Sequence, residues 1–343
     1  MESRHNLPMR FAWLGIGLVV VLLLNLALGS AGIPPAQTLK ILLGGQGGQP
    51  GWNYIIWEYR LPKAMTALLV GGGLSLSGLM MQTLFRNPLA GPFVLGISSG
   101  ASLGAALLIL GGALLGPWAA SVLVSDTALA VASSLGSFLV LFTVLLVSSR
   151  LKDAMALLIV GLMFGSITSA LVTVLASFSQ AEQLQQYIFW SYGSLGSLSW
   201  GQVGLLAAVC LGGFTIGLWS LKPLNALLLG EKYAQSLGIS LPRLRFWVIA
   251  ATGLLAGGIT AFAGPIAFVG LAVPHLTRQW FGSSDHRVLL PGVCLTGAVL
   301  MLVCDTVAQW PFSSYVLPIN AITSVLGAPV VIWLLLRRNK MLF

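Results

Sequence analysis

The stretch GISSG at 96–100 matches G-x-S-x-G, the turn that presents a serine nucleophile in many hydrolases. Ser98 would be that nucleophile. The chemistry also needs a histidine base and an acid, set on a strand, a turn and a helix. The only histidines are His5, His275 and His286, and the motif opens an apolar run. Packing or pore lining is the expected role of Ser98 and its neighbour Ser99. LLGGQ at 42–46 resembles the signature of nucleotide-hydrolysing cassettes, yet no GxxxxGK[ST] phosphate loop exists anywhere in the chain. The chain is therefore not expected to be an enzyme. Cys210, Cys294 and Cys304 fall inside apolar runs and share no metal-ligand spacing, so they read as inert thiols. No metal or cofactor is expected. Asp305 also sits in an apolar run. A carboxylate there suggests function by default, while capping or pairing within a bundle explains it equally well.

The elements that carry these residues belong to lipid. Of 343 residues, 57% are hydrophobic and only 7% charged, against about 25% charged in a soluble domain. A span needs about 20 mainly apolar residues. Such runs occur near 11–29, 62–84, 89–110, 122–148, 154–176, 201–221, 245–262, 266–281, 289–309 and 318–336. Period-2 alternation is absent, so the expected fold is an all-α polytopic membrane protein of ten transmembrane helices, one domain over 1–343. The N-terminal run is too long for a typical signal region and reads as a retained first helix.

Placing the N-terminus inside puts Arg4, Arg10, Arg86, Arg150, Lys152, Lys222, Lys232, Arg243, Arg245, Arg278, Arg287, Arg337, Arg338 and Lys340 on the cytoplasmic side, and Lys40, Arg60 and Lys63 outside. Fourteen against three satisfies the positive-inside rule, with both termini cytoplasmic. Trp52, Trp57, Trp118, Trp190, Trp200 and Trp310 then line the outer boundary. The motif WEYRLPKAM (57–65), with Glu58, Arg60, Pro62 and Lys63, is thereby external. Its cations are either snorkelling anchors or contacts for a partner.

Forty-one glycines, many in small-xxx-small spacing, allow close helix approach. NPLAGPFVLG (87–96) and AFAGPIAFVG (261–270) are similar words at opposite faces, as inverted repeats would place them. The cytoplasmic loop 222–244 contains EKYAQSLG, which reads as a short amphipathic helix closed by Gly238. Ala234 and Leu237 are expected to share a face, with Glu231 and Lys232 turned to water. A surface helix at the headgroups and a docking element for a soluble partner fit equally.

Five blocks in order, RLPKAMTALLVGGGLSLSGLMMQTLFRNPLAGPFVLGISSGASLG, LGEKYAQSLG, AGPIAFVGLAVPHLTR, GSSDHRVLLPG and LPINAITSVLGAPVVIWLL, make the chain similar to the FecCD-type permeases. The resemblance runs from about residue 55 to the C-terminus. It implies a type II importer permease of ten helices in the bacterial inner membrane. Two such subunits, here expected as a homodimer, pair around a pathway above two cytoplasmic ATPases, and a substrate-binding protein docks outside. Gly230, Glu231, Ala234, Leu237 and Gly238 match the family's ATPase-coupling segment. Arg60 and Lys63 match its docking cations, and Asn87, Pro88, Ser98, Ser99 and Asp305 fall at possible pathway or structural positions. Gln309 and Val316 depart from the family, which often carries charge there. The implied cargo is an iron-siderophore, with haem and vitamin B12 as alternatives. An ion-coupled secondary transporter would need more buried acid than Asp305 supplies.

Overall fold

The computed structural model describes residues 6–29, 31–111, 125–151, 154–196, 198–309 and 316–336. Arg4, Lys152, Arg337, Arg338, Lys340, Trp118 and Trp310 lie outside them. Among the described residues the regular elements are all helical. They are α1 (Leu7–Ala27), α2 (Pro35–Leu42), α3 (Trp52–Leu84), α4 (Ile97–Ile109), α5 (Asp126–Arg150), α6 (Ala154–Ser177), α7 (Ala181–Ser191), α8 (Trp200–Trp219), α9 (Leu221–Leu228), α10 (Glu231–Ser236), α11 (Leu241–Ala263), α12 (Val269–Phe281), α13 (His286–Ala308) and α14 (Ile319–Leu336).

Seven of these are long and apolar enough to cross a bilayer: α1, α3, α5, α6, α8, α11 and α13. Two expected spans are largely not helical at their starts. The run 89–110 becomes helical only at Ile97, after a 3₁₀ turn at Pro92–Leu95, and 266–281 only at Val269. The prolines of the two AGP words forbid a regular helix there, and left-handed residues reset the chain: Gly96 at φ 74° and Phe268 at φ 66°. The resulting helices, α4 and α12, have 13 residues each, about 20 Å at 1.5 Å per residue. The irregular backbone beside them is packed in protein, with Ala90 and Leu95 fully buried, as unsatisfied peptide groups in lipid would be costly.

The 33-residue helix α3 is the hub. It packs along α13, α11, α12 and α8, while α4, α5 and α6 form a second group joined to it through α11. Contact between α3 and α13 is backbone on backbone at Gly71 and Gly297, where a Cβ on either would collide with the other's carbonyl oxygen. Such crossings replace the hydrophobic drive that helices lack in lipid. Outward-facing apolar residues such as Trp13, Leu135, Phe138 and Val325 are exposed, suiting a lipid solvent or a second subunit.

Candidate functional site: the two polar ends of the bundle

Chemistry-bearing side chains gather at the two ends. At one end, α3 makes a π-helical turn over Ile55–Arg60. Arg60 is buried, 8% exposed. Its Nη1 donates to the carbonyls of Leu26 (2.7 Å) and Ala27 (3.0 Å), and its Nη2 to that of Ala31. These include carbonyls at the end of α1 that have no intrahelical partner, and a cation there also suits the helix dipole. Three residues on, Lys63 Nζ lies 3.0 Å from Asp305 Oδ1. Asp305, 2% exposed, also accepts from Asn25 Nδ2 (2.9 Å) and Gln309 Nε2 (2.7 Å). Asn25 reaches Thr306 Oγ1 as well, at 3.0 Å. Both cations expected to dock a partner thus also have intramolecular partners, Arg60 at the end of α1 and Lys63 on Asp305. Of the charges expected outside, Glu58 and Lys40 are the exposed ones. Gln309, which departs from the family, is an amide that completes the Asp305 shell.

The opposite end holds α9 and α10. Pro223 falls in the first turn of α9, where a missing N–H is tolerated. Leu224 and Leu227 bury that helix against the bundle. Gly230 at φ 113° turns the chain into α10. The end of α10 is a Schellman motif: the Gly238 N–H donates to Gln235 O (2.9 Å) and the Ile239 N–H to Ala234 O (3.1 Å), with Gly238 at φ 81°. Ala234 is fully buried, but Leu237 does not share its face and is 58% exposed. The six-residue helix ends before Leu237, so helical periodicity does not reach it. Leu229 before α10 and Tyr233 within it are exposed as well. Glu231 does not simply face water; Arg245 Nη2 donates to its Oε1 at 3.3 Å.

Behind this surface lies a buried polar layer. Arg278 Nη1 donates to Gln82 Oε1 (2.7 Å), and Gln82 Nε2 to Leu271 O (3.1 Å). Asn225 joins Asp285 and His286, and His286 reaches Thr83. Burial at Asp285 raises its carboxyl pKa, but hydrogen bonds from the Arg287 amide and the Asn225 side chain outweigh it, and the net shift is downward from 3.8. In the loop before α4, Asn87 Oδ1 accepts from the Leu89 N–H (2.9 Å), and the Pro88 carbonyl accepts from His275 Nε2 (2.9 Å). Asn87 and Pro88 thus fix a turn. Ser98 Oγ lies 3.4 Å from Thr260 Oγ1, and Ser99 faces Gly165. Among the described residues neither serine is paired with His275 or His286, which contact Pro88 and Asn225 with Thr83 respectively. Sequence reading missed Asn25, Asn225, Gln82 and Thr83; each is an isolated amide or hydroxyl whose partner lies far away in the chain.

The described residues form a helical bundle with seven helices long and apolar enough to cross a membrane, two interrupted apolar runs and polar clusters at both ends, an architecture that transporters share. Comparison with known proteins sharpens this. The model of the FecCD transport family matches residues 17–337. The vitamin B12 import system permease protein BtuC of Klebsiella pneumoniae is 41% identical over 321 residues, 93% of this chain and 91% of that protein. Its namesake from an Escherichia coli O17:K52:H18 strain is 38% identical over 343 residues, 99% and 98% of the two chains. A solved structure described as an inward-facing metal-chelate type ABC transporter superposes with a TM-score of 0.82 at 33% identity, covering 96% of this chain and 99% of that one. The chain belongs to the FecCD transport family, the membrane permeases of ABC importers.

Proposed function

We propose that the chain is the membrane-spanning half of an ATP-driven importer for a large metal chelate, driven by a separate ATPase seated on α9 and α10. The observation that carries this is the exposed apolar surface of Leu229, Tyr233 and Leu237 in and beside α10. It lies at the end that also carries Arg10, Arg86, Arg150, Lys222, Lys232, Arg243 and Arg287, the cation-rich and hence cytoplasmic side. Apolar side chains standing in water beside a capped short helix are what a groove in a soluble partner would cover. Gly230, Glu231, Ala234, Leu237 and Gly238 then form the coupling segment. Ala234 anchors it inward and Leu237 outward.

Counting the shorter α4, α12 and α14 with the seven long helices gives ten crossings, with N- and C-termini cytoplasmic. A homodimer would enclose the pathway between two copies. The outer end would receive the binding protein, with Lys63 and the exposed Lys40 as cationic contacts and Arg60 holding the rim in shape. Cargo of this class keeps its metal within the chelate, so the permease needs no ligands of its own. The relatives named for vitamin B12 favour that corrinoid over an iron-siderophore or haem.

The test is capture of the cognate ATPase by the purified chain. Tyr233→Asp and Leu237→Asp should each weaken capture at least about tenfold, as loss of an interface anchor does. Undiminished capture by both would refute the assignment. Competition among cyanocobalamin, haem and ferric siderophore in uptake assays then decides the cargo.

A further inference from the structure

One line of side-chain hydrogen bonds runs from α9, through the start of α13, to the end of α3. Asn225 Nδ2 donates to the Asp285 carboxylate at 2.7 Å, which turns its carbonyl oxygen towards His286. That oxygen accepts from the His286 backbone N–H (2.9 Å) and lies 2.7 Å from Nδ1. A carbonyl can only accept, so Nδ1 carries the imidazole proton and Nε2 is the acceptor. Thr83 Oγ1 lies 2.9 Å from Nε2 and 2.9 Å from the Leu79 carbonyl, so its one proton is divided between these two acceptors. His286 and Thr83 are 1% and 2% exposed, so water cannot stand in for a lost partner. Beside Thr83, Gln82 carries the same rigidity on to α12 through Leu271 and Arg278.

Two other attachments of the helix pair are less directional. Leu224 and Leu227 bury α9 without directional contact, and apolar faces slide. The ion pair of Glu231 and Arg245 has one half-exposed partner, and such pairs contribute little. We propose that Asn225, His286 and Thr83 are positioning residues forming a strut that carries displacement of α9 into the central helix α3. The strut rests on the reading of α9 and α10 as the coupling element, and it names the route by which that element reaches the spans.

The test uses the reconstituted complex of permease, ATPase and binding protein, with binding protein loaded with cyanocobalamin as the probe. Three quantities are read: ATPase capture, basal ATP turnover, and stimulation of turnover by the binding protein. Thr83→Val, which removes only the hydroxyl, should leave capture and basal turnover unchanged. Stimulation should fall about fivefold, the factor expected for one buried hydrogen bond. Asn225→Leu should lower it further, and Thr83→Ser should restore it. Unchanged stimulation in both Thr83→Val and Asn225→Leu would overturn the strut. So would an equal loss in Thr83→Ser, which would assign the effect to the methyl group, or loss of ATPase capture by Thr83→Val, which would make the residue merely structural. A wild-type chain that neither captures nor stimulates the ATPase fails at the coupling reading itself, and the strut falls with it.

Discussion

Replacing Asp305 with leucine removes the acceptor shared by Lys63, Asn25 and Gln309. Loss of one partner of a buried pair costs about 3–5 kcal/mol, because the remaining charge is stranded. Lys63 is 19% exposed and its flexible stem lets the ammonium move towards water, which places the cost near the lower bound, about 3 kcal/mol. Lys63→Met leaves the carboxylate with its two amide donors and should cost less, about 2 kcal/mol. The double variant Lys63→Met, Asp305→Leu replaces an ion pair by an apolar contact of similar volume. It should return to within about 1 kcal/mol of the parent. The natural assay is thermal unfolding in detergent, followed with a thiol-reactive dye, since Cys210 and Cys304 are buried and Cys294 partly so in the folded chain. At roughly 2 °C per kcal/mol, Asp305→Leu should lower the midpoint by about 6 °C and the double variant by no more than about 2 °C. A double variant as unstable as the sum of the two singles would refute the reasoning.

Other consequences follow from the same geometry. Gly238→Val forces a β-branched residue to φ 81°; it should distort the end of α10 and reduce ATPase stimulation severalfold, measured in proteoliposomes. Gly71→Ala places a methyl group against the Gly297 carbonyl and should cost about 1–3 kcal/mol of stability, whereas Gly15→Ala, which meets open space on α1, should be silent in the same thermal assay. Asp285 has its pKa lowered from 3.8, so its contribution is complete above pH 3.8 and lost as pH falls through the folded value. Asp285→Asn should therefore flatten the acid limb of the stability profile below about pH 4, read by the same dye.

The helices were largely legible because span length and hydropathy are enforced by the bilayer, so runs such as 245–262 and 289–309 returned as α11 and α13 with modest shifts. The half-length helices were less so. Pro92 and Pro265 sit inside apolar runs that hydropathy alone reads as continuous. Leu237 was placed on the wrong face because a six-residue helix stops before its period can be extrapolated. The partners of Asp305, namely Lys63 and Asn25, lie on other helices, and no spacing rule brings them together. A resemblance marked Arg60 and Lys63 as a pair, while the π turn that sends one to α1 and the other to Asp305 is set by tertiary packing.

The central claim is that this chain couples a separate ATPase to import of a metal chelate. It is tested most directly by uptake of radiolabelled cyanocobalamin into proteoliposomes that contain the chain with its ATPase and binding protein. The account predicts uptake that requires ATP, is blocked by vanadate and is lost with Leu237→Asp. Uptake that persists under vanadate and follows an imposed proton gradient would contradict it.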